Sequence, residues 1–177
     1  MVSFQDIQTA YYMVAATGVL VAAVYYVLNM RAALETRRIS LIDSLSSRLI
    51  SKEGMKTYFE MMNWEWMDYE DFERKYGSDN DVEATAKRYS YWIDYNSIGS
   101  MVRKKLISVE DVYNMGFLGL VYYWAKYKPI IEENRSRYNG ASYLRDFEYL
   151  AEELLSYMKT LDPSYQVPMT LTKYVLE

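Results

Sequence analysis

The sequence predicts an all-α protein: one N-terminal transmembrane helix, continuing into a stalk, followed by a cytoplasmic bundle of about five helices. Three observations carry this. From Ile7 to Met30 the chain runs 24 residues without a charged side chain. After that run, apolar residues recur at helical spacing and the alternating pattern of strands is almost missing. The 3 Pro and 7 Gly fall mostly where helices should end.

The uncharged run, IQTAYYMVAATGVLVAAVYYVLNM, is the first element (residues 7–30). As a helix it would reach ~36 Å, more than the ~30 Å hydrocarbon core of a bilayer. Tyr11 and Tyr12 near one end and Tyr25 and Tyr26 near the other have the placing of interfacial aromatic belts. Arg31, Arg37 and Arg38 follow directly and complete the expected membrane interface. A cleaved signal peptide fits poorly, because MVSFQD has no basic n-region and the run exceeds the usual stretch of about 7–15 residues. A core helix in so small a protein is rarely apolar on every side. The arginines after the run, Arg48 included, place the C-terminal part in the cytoplasm and the N-terminus outside, at the cell membrane. Ala15, Gly18 and Ala22 share one face at spacings of three and four, a pattern through which membrane helices pair. Ala and Gly are also simply common in such spans.

Residues 31–50 continue as an amphipathic juxtamembrane stalk, with Leu34, Leu41, Ile42, Leu45 and Leu49 on one stripe. The cytoplasmic bundle is assigned to residues 51–161. It opens with two short aromatic helices, broken near Asn63 and ending at Gly77. The polar loop SDND follows. A long helix is expected from about Val82 to Lys105, with Tyr89, Trp92, Tyr95, Gly99 and Val102 on one face. Ser108 opens SVED, an N-cap with an acid three residues on. The next helix carries Val112, Met115, Leu118, Tyr122 and Tyr123, and Pro129 should kink or restart it. After RYNG, a last amphipathic helix turns Leu144, Phe147, Leu150, Ala151 and Leu154 inward. Residues 162–177, with Pro163 and Pro168, form a C-terminal tail expected to be poorly ordered.

Half the chain is apolar (51%) yet mean hydropathy is -0.26, because its 20 Tyr count as apolar in one measure and not in the other. The chain contains no Cys and no His, which excludes disulfides, Cys or His zinc sites, thiol nucleophiles, histidine bases and Glu-x-x-His di-iron centres. A net charge of -4 argues against nucleic acid as a partner.

The densest carboxylates are Glu65, Asp68, Glu70, Asp71 and Glu73, then Asp79, Asp81 and Glu83. Paired carboxylates can bind a cation or act as acid and base. SDNDVEATAKRY, however, lacks both the glycine and the closing glutamate of an EF-hand. Glu132, Glu133, Arg135 and Arg137, and the cluster Asp146, Glu148, Glu152 and Glu153, fit helix surfaces decorated with i,i+4 pairs. The compact basic run Arg103, Lys104 and Lys105 fits a helix C-terminus. Met61, Met62 and Met67 beside Trp64 and Trp66 fit either a core or an adaptable partner groove. No catalytic, cofactor-binding or metal-ligating residue is assigned, and no cofactor is expected.

The order of segments resembles a known family. A span, a basic stalk and an aromatic helix pair are followed by YNSIGSMVRKKLISVEDVY, YYWAKYKPIIEENRSRY and YLRDFEYLAEEL. This is similar to an uncharacterised prokaryotic family of small membrane-anchored helical proteins, a domain of unknown function. The resemblance covers nearly the whole chain and implies one span plus a soluble helical domain. It brings no activity with it.

The functional expectation is a single-pass membrane protein, seated in the lipid bilayer, that presents a helical interaction or accessory subunit to a protein partner or to a second copy. Two rivals stand beside it: a carboxylate-based metal-binding enzyme centred on Glu65–Glu73, and a ligand sensor with an aromatic pocket between helices.

Overall fold

The computed structural model describes residues 3–138 and 140–168, except the side chain of Leu45. The end of the expected tail, residues 169–177, lies outside the described residues. The chain divides into two units between Leu41 and Ile42, and the described residues form seven helices without a strand.

Helix α1 spans Phe4–Leu49. It needs no break, because across 46 residues it contains one Gly and no Pro. In the first unit the apolar side chains are exposed all round, including Val14, Leu20 and Val24. Of the predicted stalk stripe, Leu34 is exposed, Leu41 and Ile42 are half-buried and Leu49 is buried. The side chain of Leu45 lies outside the described residues.

In the second unit, helix starts follow local capping chemistry. Ser51 accepts from the Gly54 N–H and opens α2 (Lys52–Met62). Asp68 accepts from the Asp71 N–H and opens α3 (Tyr69–Tyr76). Asp81 accepts from the Ala84 N–H and opens α4 (Val82–Arg103). Ser108 and Asp111 form a reciprocal capping box at α5 (Val109–Asn114). Each such cap contributes on the order of 1 kcal/mol by pairing an orphan N–H.

Six further helices follow α1 among the described residues, in line with the expected all-helical architecture. The expected break at Pro129 is replaced by one at Met115–Leu118, where Gly116 takes φ +81. That left-handed conformation stops α5 and suits glycine. Helix α6 (Gly119–Arg137) runs on through Pro129. Proline costs it an N–H, but Trp124, Tyr127, Ile130 and Ile131 are buried on either side and hold the turn in place.

Helix α7 (Arg145–Leu161) starts without a side-chain cap of its own. Asn96 on α4 supplies one: its Oδ1 accepts from the N–H groups of Asp146 and Phe147 at 3.1 and 3.2 Å. Helices α4 and α7 pack closely because Gly99 faces Asp146, where a Cβ would stand 1.8 Å from the carbonyl oxygen. The inward face predicted for α7 is the observed one, with Leu144, Phe147, Leu150, Ala151 and Leu154 all buried. On α4 the buried face holds Trp92, Tyr95, Gly99 and Val102, while Tyr89 is exposed and Arg88 and Tyr91 are buried instead.

The core is a lattice of rings. Phe72, Trp92, Tyr123, Tyr127 and Phe147 are fully buried. Tyr123 and Tyr127 stand 4.4 Å apart by ring centroid, Trp124 and Phe147 4.9 Å, and Trp64 stacks on Tyr76 at 4.3 Å. Buried phenols need partners. The Tyr127 hydroxyl donates to the Met61 carbonyl at 2.8 Å and the Tyr69 hydroxyl to Asn134 Oδ1 at 2.9 Å. Beyond α7 the chain still touches this core, where the Tyr165 and Tyr122 hydroxyls hydrogen-bond at 2.9 Å.

Candidate functional site

Helix α1 is long and apolar enough to cross a membrane, with an 18-residue window of mean hydropathy 1.8 and none of that window buried. Tyr11, Tyr12, Tyr25, Tyr26, Arg31 and Arg37 are exposed. The rings of Tyr11 and Tyr12 meet edge to face at 6.0 Å, and Gln8 Nε2 donates to the Tyr12 hydroxyl at 3.4 Å. Arg38 lies 3.9 Å from Glu35, one turn back. Ala15, Gly18 and Ala22 are exposed, and apart from the adjoining residues and the helix's own backbone nothing described comes within 4 Å of a Cβ built on Gly18.

The acidic residues singled out in the second unit do not converge. Among the described residues, no three of Asp, Glu, His or Cys are placed to hold a metal ion. Asp68 and Asp81 act as helix caps. Asp71 is buried against Lys75 at 2.8 Å and against Arg74, and it accepts from the Met67 N–H at 3.1 Å. These contacts, led by Lys75, hold its carboxyl down at about 2. Glu70 pairs with Arg137, Glu73 with Arg88 at 3.8 Å, and Glu83 with Lys87 at 3.2 Å. Of the clusters expected to form i,i+4 pairs, Glu133 and Arg137 do so. Arg135 and Asp146 instead bridge helices, to Glu148 at 2.8 Å and Arg103 at 3.0 Å.

The Met and Trp side chains of the α2–α3 region divide. Met61 and Trp64 are core, Met62 and Trp66 are half-buried, and Met67 is exposed. Two buried cations organise the surroundings, and sequence reasoning missed both. The Arg88 guanidinium lies 4.8 Å from the ring centroids of both Phe72 and Trp92. The Lys126 ammonium, 5.0 Å from the Trp66 ring, reaches main-chain carbonyls of the α2–α3 connection. A signal for Lys126 was present, since it sits among Tyr123, Tyr127 and Ile130 on the apolar stripe of α6.

Sequence reasoning also left the aromatic pocket without residues, and the second unit contains one. A cavity of about 280 Å³ opens between the end of α1, α2, α4 and the α5–α6 connection. Tyr58, Tyr91 and Tyr95 line it, with Leu49, Met55 and Met115 among the other lining residues. The Tyr58 hydroxyl donates to the Gly119 carbonyl at 2.9 Å, and the Tyr91 hydroxyl donates to that of Gly54. Burial is the leading cause that pushes both phenols above their ordinary range, so they stay neutral.

The sequence pattern of a domain of unknown function, DUF4760, matches residues 12–154. The chain belongs to the DUF4760 family. No curated protein and no solved structure matches it. The DUF4760 region begins inside α1, at the second residue of the first tyrosine pair, and ends on the inward face of α7 at Leu154. It therefore includes Ala15, Gly18, Ala22, the four stalk arginines and every residue named around the cavity. The apolar helix and the aromatic bundle belong to one family unit.

Proposed function

We propose that this DUF4760 protein is a single-pass protein of the cell membrane, with its N-terminus outside and its helical bundle in the cytoplasm. There it serves as an interaction or accessory subunit for a protein partner or a second copy. The observation that carries the reading is the charge-free run of α1, whose Val14, Leu20 and Tyr25 stand 73%, 67% and 66% exposed. Left in water, each such side chain forgoes roughly 1.5–3 kcal/mol of burial, and lipid supplies that burial. Arg31, Arg37, Arg38 and Arg48 after the run support a cytoplasmic bundle, since basic flanks stay inside. Anchoring raises the effective concentration of the bundle for anything else at the inner surface.

The absence of cysteine makes the test direct. Full-length chain carrying Ser3→Cys or Ser136→Cys is expressed, and intact cells are treated with an impermeant maleimide. Labelling of S3C in intact cells, and of S136C only after lysis, is the expected result, with both proteins retained in alkaline-washed membranes. Release by the wash would overturn the span, and the reverse labelling order would overturn the orientation. The subunit role is read by purification in mild detergent, where a strictly monomeric chain with no associated protein would overturn it.

A further inference from the structure

The cavity at the end of α1 has largely apolar walls, and two of its three phenol hydroxyls are already engaged. Its about 280 Å³ compares with the about 150 Å³ of an engineered cavity that binds benzene. No charged side chain lines it. The Tyr58 and Tyr91 hydroxyls donate to the main-chain carbonyls of Gly119 and Gly54. A charged ligand would therefore lose its hydration and find no counterion. A neutral ring loses little and gains ring contacts. The rings are held ready for it: Tyr91 and Tyr95 meet edge to face at 5.8 Å and 77°. Such an arrangement offers both faces and edges to a flat molecule, which an acyl chain cannot use. The mouth is reachable, because Ile50 and Met55 are 49% and 40% exposed.

We infer that this cavity binds a small, uncharged aromatic compound about the size of two fused rings, enclosed by Tyr58, Tyr91 and Tyr95. The inference is independent of the membrane anchoring proposed above, since every group it uses lies in the second unit. Binding would tie α1 and α2 to the α5–α6 connection, where Gly116 sits at φ +81.

The test uses the full chain reconstituted in lipid nanodiscs, with a single thiol in the wall (Met115→Cys) and a remote exposed one (Ser136→Cys). Alkylation by a small methanethiosulfonate is timed with 1-naphthol, 1-naphthalenesulfonate or 1-decanol present. At about ten times its dissociation constant, 1-naphthol should slow M115C roughly tenfold, because only the empty fraction reacts. S136C should be unaffected, and the added variant Met55→Trp, which fills the mouth, should abolish the protection. Equal slowing at both thiols, or none at M115C, overturns the site. Equal protection by the sulfonate overturns the requirement for a neutral ligand, and stronger protection by 1-decanol overturns the requirement for a ring. Should M115C fail to fold, Ile50→Cys, another lining position, gives the same readout.

Discussion

The Lys126 ammonium donates to the main-chain carbonyl of Trp64 at 2.5 Å, and to that of Met62 at 2.6 Å. Lys126 is 1% exposed. Its charge therefore works where water does not screen it, against carbonyls at and just past the C-terminal end of α2, the end of a helix that favours a cation. Lys126→Met keeps the length of the side chain and leaves both carbonyls without this donor. The expected loss is about 2–3 kcal/mol, the range for hydrogen bonds to a charged group. Thermal unfolding of the reconstituted full chain, followed by near-UV circular dichroism, measures it. An unchanged midpoint would mean that the α2–α3 connection holds without the lysine.

Arg88 and Glu73 should respond unequally to substitution, although they form one ion pair. Arg88 is 2% exposed and is stacked between Phe72 and Trp92, whereas Glu73 is half-buried and 3.8 Å away. Glu73→Gln removes a long, partly screened attraction and should cost about 0.5 kcal/mol. Arg88→Leu loses three cation–ring contacts, to Phe72, Tyr89 and Trp92, and should cost about 2 kcal/mol. Urea titration of the two variants checks the ratio, and equal costs would show that the ion pair outweighs the stacking.

Acid should weaken the α3 region through Asp71. Its folded carboxyl sits at about 2, held there first by Lys75 and then by the Met67 N–H and Arg74, against an ordinary value of about 3.9. A depressed folded value means that the unfolded chain takes up the proton first. The stabilisation is thus complete above about pH 4 and disappears as the pH falls towards about 2. Asp71→Asn should lower the melting temperature at pH 6 and flatten its decline between pH 4 and 2. A variant whose decline in that window matches the parent would assign the acid sensitivity to another group.

Local chemistry was legible in the sequence and long-range placement was not. Asp81 and Ser108 mark helix starts because a cap needs only its own next three residues, and the inward face of α7 follows from a helical period. The break at Gly116 was hidden, because a glycine inside an apolar pattern marks a break only when its φ is known. Pro129 misled for the opposite reason, since the packing of Tyr127 and Ile130 outweighs its lost hydrogen bond. The cavity brings Leu49 and Phe117 into one lining, a relationship that no helical period encodes. Lys126 left a trace, a charge on an apolar stripe, but nothing in the sequence names the Met62 and Trp64 carbonyls as its partners.

Gly99 should tolerate no side chain. An added Cβ would stand 1.8 Å from the Asp146 carbonyl oxygen and 3.2 Å from the Leu150 Cβ, so α4 and α7 would have to separate. Separation also pulls Asn96 away from the N–H groups of Asp146 and Phe147 that it caps. Gly99→Ala is expected to cost about 3 kcal/mol, the upper part of the overpacking range, despite alanine's better helix propensity. Limited proteolysis should cut near the start of α7 in this variant, and parental resistance would mean that the helices can shift without loss.

Gly18 makes the contrasting case and tests self-association. Apart from the adjoining residues and the helix's own backbone, nothing described lies within 4 Å of a Cβ placed there, so Gly18→Ile should leave the fold of a single chain intact. If the face of Ala15, Gly18 and Ala22 is where two copies meet, isoleucine keeps the backbones apart and removes the close packing that drives pairing in lipid. Val19→Leu, of similar hydrophobicity and pointing elsewhere on α1, should leave pairing intact. With Ser3→Cys as the reporter, oxidative cross-linking of the full chain in lipid should give a dimer with Val19→Leu and lose it with Gly18→Ile. Equal cross-linking in both would reduce the small residues to the ordinary composition of a membrane helix, and any partner would then meet the chain elsewhere.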